Sequence, residues 1–79
     1  MTPGISLAVA PVAGRVRLLP PKAFAEGREV VTKGQAVAVV EGGVVRGTVV
    51  APVAGVVDGL LVHEGEPVVT GQPVLAVRS

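Results

Sequence analysis

Apolar positions in this chain come in short runs cut by turn residues. Ile5-Ser6-Leu7-Ala8-Val9-Ala10 alternates large and small side chains and predicts a strand. Pro11 ends its ladder, because proline donates no backbone hydrogen bond. Arg15-Val16-Arg17-Leu18-Leu19 alternates polar and apolar residues, as a half-buried strand does. Further strands are predicted at 29–31, 36–41, 44–51, 56–62, 67–69 and 73–78, with turns at Glu26-Gly27, Lys33-Gly34, Glu64-Gly65 and Thr70-Gly71. Gly59, inside one of these runs, marks a bulge or a close backbone approach. Met1 to Gly4 is a short lead-in, expected to fray. No stretch sustains a 3.6-residue apolar period, so no long helix is predicted.

The runs repeat. Ala10-Pro11-Val12-Ala13-Gly14 returns as Ala51-Pro52-Val53-Ala54-Gly55. Each copy leads through a Glu-Gly step to Val-Val-Thr and then Gly-Gln, at Gly34-Gln35 and Gly71-Gln72. Pro20 to Ala25 has no counterpart and inserts about three residues, with Phe24 expected to cap the end of the core. One half could not bury its apolar face alone, and packing against its copy solves that problem. The expectation is one all-β domain over residues 1–79, with half-repeats at about 5–41 and 44–78 related by a pseudo-twofold axis.

Composition narrows the classes. Apolar residues make up 49% of the chain, Phe24 is the one aromatic side chain, and the 79 residues limit it to one domain. At this size folding buries roughly 60–65% of the unfolded surface. A net charge of +1 and scattered basic residues give no case for nucleic acid, and stacking aromatics are missing. Without cysteine there is no disulfide framework, thiolate chemistry or Cys-based zinc site, which suits a cytoplasm. No apolar run approaches the ~20 residues of a membrane span, and no signal peptide stands out.

Val50-Ala51-Pro52-Val53-Ala54-Gly55-Val56-Val57, Val62-His63-Glu64-Gly65-Glu66-Pro67-Val68 and Thr70-Gly71-Gln72-Pro73-Val74-Leu75 resemble the C-terminal half of a biotinyl/lipoyl carrier domain. The first half is similar but looser. The resemblance implies a flattened β-barrel, the barrel-sandwich hybrid of two four-stranded sheets. Its central hairpin would present a lysine carrying biotin or lipoate. Counting from Gly34-Gln35 and back from Ala51-Pro52 places that lysine at Val44. Where biotinyl domains have Ala-Met-Lys-Met, this chain has Gly42-Gly43-Val44-Val45. Valine has no nucleophilic nitrogen, and Arg46 remains protonated. The attachment hairpin therefore reads as degenerate, with no cofactor-binding residue and no cofactor. The two lysines, Lys22 and Lys33, fall in the insertion and in a turn.

The turn chemistry agrees with a two-residue hairpin. Centring it on Gly43-Val44 sets Glu41 opposite Arg46 as a cross-strand charge pair and Val39 opposite Thr48. It also suits a type II′ turn, with glycine first. This register puts Val37, Val39, Val44 and Val50 on one face, and Ala38, Val40, Val45 and Val49 on the other. Some of that apolar surface is expected to stay outside, available to a partner or another copy.

Other constellations are weak. His63 stands beside Glu64 and Glu66, but strand neighbours point to opposite faces, and a surface histidine before a turn is the plainer reading. Asp58 has no Ser or His neighbour for a triad. Glu26, Glu29, Glu41, Glu64 and Glu66 read as solvated turn and edge residues. No catalytic set and no metal set emerges, so the chain is not expected to be an enzyme. The leading expectation is a non-enzymatic module that binds proteins or self-associates in an assembly. The alternatives are an atypical carrier subunit of a carboxylase or dehydrogenase, and a detached lipoyl-like domain of an efflux adaptor.

Overall fold

The computed structural model describes residues 4–79. Nine strands form two antiparallel sheets, with no helix among the described residues: β1 Ile5–Val9, β2 Gly14–Leu18, β3 Phe24–Ala25, β4 Arg28–Val31, β5 Ala36–Gly42, β6 Val45–Val50, β7 Gly55–Leu60, β8 Pro67–Val68 and β9 Pro73–Arg78. The five-stranded sheet runs β1-β9-β7-β4-β3, and the four-stranded sheet runs β6-β5-β2-β8.

The two orders are one plan used twice. Replacing β1, β2, β4 and β5 by β6, β7, β8 and β9, and the reverse, converts β1-β9-β7-β4 into β6-β5-β2-β8. Each sheet therefore draws strands from both halves of the chain. The repeated hydrogen bonds follow the same exchange. Gly34 N–H donates to Ala51 O and Ala51 N–H to Gln35 O; Gly71 N–H donates to Ala10 O and Ala10 N–H to Gln72 O.

β3 is the addition to this plan. The expectation was two four-stranded sheets, with Phe24 capping the core. Instead the insertion pairs with β4, Phe24 facing Glu29 and Ala25 facing Arg28. Glu26 and Gly27 both take positive φ, 54° and 78°, as a type I′ hairpin turn requires. Phe24 is thereby carried to the sheet edge and is 64% exposed.

Between the sheets lies a core of small branched side chains, with Val16, Val40, Val49, Val74 and Val77 the largest fully enclosed. No polar side chain is buried among the described residues. The register of β5 shifts between Ala36 and Ala38, which sends Val37 into the core instead of leaving it beside Val50. The matching shift lies between β1 and β9, where Val9 faces Pro73 but Ala8 faces Leu75, and a separate shift in β7, between Val57 and Gly59, is the bulge expected at Gly59. At the start of the chain, the Gly4 carbonyl accepts a hydrogen bond from Ser79 N–H, so Gly4 is tied down. The rest of the expected lead-in, residues 1–3, lies outside the described residues.

Candidate functional site

The hairpin of β5 and β6 follows the expected register. Val39 faces Thr48, Val40 faces Gly47, Glu41 faces Arg46 and Gly42 faces Val45. Gly43 and Val44 form the two-residue turn. Gly43 has φ 78°, whereas Val44 is not among the positive-φ residues, so the turn is of type II′ with glycine first. Val44 is fully exposed, and Val45 is about half exposed at 48%.

Three glycines brace the hairpin against the rest of the barrel. A Cβ on Gly42 would collide with the Ala13 carbonyl oxygen, and one on Gly14 would collide with the Glu41 carbonyl. A Cβ on Gly47 would come within 2.6 Å of the Pro11 ring. The repeated Ala-Pro-Val-Ala-Gly segment is thus the cradle of the hairpin. Its second copy has the same duty at the other end, since a Cβ on Gly55 would strike the Arg78 carbonyl. Only a residue without a side chain allows that approach.

The charges at the hairpin root are not paired as the register alone predicts. The Glu41 carboxylate lies 3.4 Å from the Arg17 guanidinium, and Arg46 makes no ion pair among the described residues. Arg15 Nη1 donates to Gly65 O at 3.1 Å. Beside them, Glu64 Oε1 accepts from Leu18 N–H at 2.7 Å. Glu66 Oε1 accepts from His63 N–H at 3.0 Å. Glu66 thus closes its own turn, whereas Glu64 ties that turn to β2. Gln35 and Gln72 act as Glu66 does, each accepting through Oε1 from the amide three residues earlier, at Thr32 and Val69.

His63 is exposed. No group of three or more His, Cys, Asp or Glu among the described residues is arranged to hold a metal ion. Asp58 pairs with Arg78 across β7 and β9. Lys22 lies in the loop before β3 and Lys33 in the turn before β5, both exposed and neither on the central hairpin. No helix among the described residues is long and apolar enough to cross a membrane.

The fastening role of Glu64, Glu66, Gln35 and Gln72 was missed from the sequence. For Gln35 and Gln72 the signal was there: Gly-Gln recurs at the same point in both halves. The diagonal Arg17–Glu41 pair left no such trace, because it joins strands of separate turns.

A family model, Biotin_lipoyl, described as "Biotin-requiring enzyme", matches residues 22–77. The chain belongs to the biotin/lipoyl family. This biotin/lipoyl domain is also similar to a solved structure described as a single-chain, multi-domain long-chain acyl-CoA carboxylase. The TM-score is 0.73 and the identity 27%, over 96% of this chain. The domain spans 7% of that carboxylase's length. No curated protein sequence matches it. The flattened two-sheet barrel and the family resemblance read from the sequence both hold.

Proposed function

We propose that this biotin/lipoyl domain carries no covalent cofactor and acts through its surface, as a protein-binding or assembly subunit. One observation carries the reading. The residue displayed at the tip of the central hairpin is Val44, with its side chain wholly in solvent. Biotin or lipoate attached there would need an amide to a side-chain amine, and valine offers none. The tip residues Gly42, Gly43, Val44 and Val45 therefore do not fit the group that the family implies. The whole span 1–79 is taken as one cytoplasmic module, with half-repeats at about 5–41 and 44–78.

The exposed apolar side chains support a surface role. Ile5, Leu7 and Val9 along β1 are each 44–53% exposed, and Val45 and Val50 of β6 are 44–48% exposed. The strands that should face both ways are instead covered, since Val37, Ala38, Val39 and Val40 of β5 are all buried. The available apolar surface thus lies along β1 and β6, and at Leu60 of β7 and the loop residues Leu61 and Val69, rather than along β5.

Family membership and the likeness to a carboxylase favour one second reading, an atypical carrier modified at Lys22 or Lys33. The two readings separate in one labelling experiment. The purified chain is incubated with ATP and a biotin or lipoate ligase, then mapped by peptide mass spectrometry. The proposal expects an unlabelled chain. Stoichiometric label on Lys22 or Lys33 would replace it with the carrier reading.

A further inference from the structure

The outer edges of β4 and β8 hold equivalent places in the two sheets and are closed in different ways. Val30 faces Val56 and Val31 faces Gly55, while Pro67 faces Arg15 and Val68 faces Gly14. Gly14 and Gly55 open equivalent strands, so Pro67 stands where Val30 stands. The match continues two residues on, where Thr32 and Val69 N–H both donate to a glutamine Oε1. At Val30 and Pro67 the edges part. Pro67 has no N–H to offer. Val30 has one, and it donates to Ala23 O at 3.0 Å, at the entry to β3. β3 is also the strand that the duplicated plan lacks. An unpaired strand edge is a template for pairing with another chain. Proline closes the edge permanently in one half, and β3 closes it in the other.

The β3 closure is lightly built. The strand is two residues long and makes two facing pairs. All nine residues from Pro20 to Arg28 are exposed, and none enters the core. Glu26, in the turn, has φ 54°, a region costly for a residue with a side chain. Segments that bury little apolar surface and expose their hydrogen bonds open far more readily than the whole domain unfolds. Lifting β3 also takes nothing from the other side of β4. Main-chain groups along an antiparallel strand alternate between its two neighbours. Val30 N–H is used on Ala23, so its facing pair with Val56 is of the kind without hydrogen bonds. The buried Val31 side chain anchors β4 in the core whether or not β3 is in place.

We propose that β3 is a releasable strap, which opens from β4 while both sheets stay folded and so gates the Val30 N–H. Closed, the β4 edge is as blocked as the proline edge of β8. Open, it presents a main-chain donor that Pro67 can never present. This device goes beyond the surface-acting reading and holds whether or not the chain carries a cofactor.

The test is amide hydrogen exchange of the isotopically labelled whole chain, read by NMR. Corrected for intrinsic rates, Val30 should exchange at least about tenfold faster than Val40 and Val77, which are fully buried. Low urea should speed Val40 and Val77 and leave Val30 nearly unchanged, because a local opening exposes little surface. Glu26→Asn suits the type I′ turn better and should slow Val30 by about threefold or more without slowing Val77. Val30→Pro copies the β8 edge. It should bring Phe24 and Ala25 to unpaired chemical shifts and leave the signals of β5 and β9 in place. A Val30 rate equal to those of Val40 and Val77, a Val30 rate that ignores Glu26→Asn, or a Val30→Pro chain that loses the β5 and β9 signals would each overturn the proposal.

Discussion

Arg46 faces Glu41 across the central hairpin, yet the Glu41 carboxylate pairs with Arg17, 3.4 Å away on β2. Arg15 is the residue directly opposite Glu41 on that side, and Arg17 lies opposite Val39, so the pair is diagonal. Long side chains reach diagonal neighbours across strands. Both partners are about half exposed or more, at 46% and 61%, so the pair is worth at most about 1 kcal/mol. Arg17→Gln should lower unfolding stability by about 0.2–1 kcal/mol, and Arg46→Gln by less. Urea denaturation of both variants checks this. A larger loss for Arg46→Gln would mean that Glu41 chooses the other arginine in solution.

Close approach and positive φ are different demands on glycine, and they separate by substitution. Gly14→Ala and Gly55→Ala each drive a Cβ into a strand carbonyl, of Glu41 and Arg78 respectively. Each should cost about 1–3 kcal/mol, as overpacking does. At the tip a Cβ on Gly43 meets nothing, but φ is 78°. Gly43→Ala should cost about 1–2 kcal/mol through backbone strain alone. Amide shifts distinguish the two: the first pair disturbs both flanking strands, whereas the Gly43 variant perturbs only the turn.

Gln35 and Gln72 close equivalent turns, accepting from Thr32 and Val69 at 3.1 Å in each case. Gln35→Ala and Gln72→Ala should each cost about 0.5–1.5 kcal/mol, and by similar amounts. Glutamate at either site keeps the acceptor and should recover most of the loss. Hydrogen exchange at the Thr32 and Val69 amides reads the bond directly. Rapid exchange at one site alone in the wild type would contradict the equivalence.

Much of the fold was legible because the chain states it twice. The Ala-Pro-Val-Ala-Gly and Gly-Gln repeats mark the same junctions in both sheets, and Gly43-Val44 gave the hairpin register correctly. The insertion was not legible, because nothing repeats it. An unpaired Phe24 read as core, whereas the positive φ of Glu26 turned the segment into a separate hairpin that lifts the ring outward. The depth of β5 was hidden too. Its register shift sends Val37 inward, and strand alternation alone cannot foresee a bulge there. At the candidate site, position 44 could be read from spacing, but the pairing of Glu41 depended on which strand lay beside β5.

Phe24 gives a direct check on that correction. A core phenylalanine replaced by alanine costs about 3–5 kcal/mol. With Phe24 64% exposed on a two-residue edge strand, Phe24→Ala should cost under about 1 kcal/mol. Thermal unfolding resolves the difference, since 1 kcal/mol moves the midpoint of a domain this small by about 4–8 °C.

Val44 tolerates change for the same reason. Its side chain touches solvent on every side, so Val44→Lys should leave stability within about 0.5 kcal/mol of the wild type. Denaturation midpoints measured side by side check this, and a loss above about 1 kcal/mol would mean that the tip is packed in solution.

The central claim is that the domain works without a covalent cofactor. The direct measurement is the intact mass of the chain purified from its own organism, taken once denatured and once native. A denatured mass equal to the unmodified sequence is the predicted result, and the native mass then reports whether the domain holds a partner or a second copy. A denatured mass raised by one biotinyl or lipoyl group, mapped to Lys22 or Lys33, would contradict the account and make this domain a carrier with a relocated site.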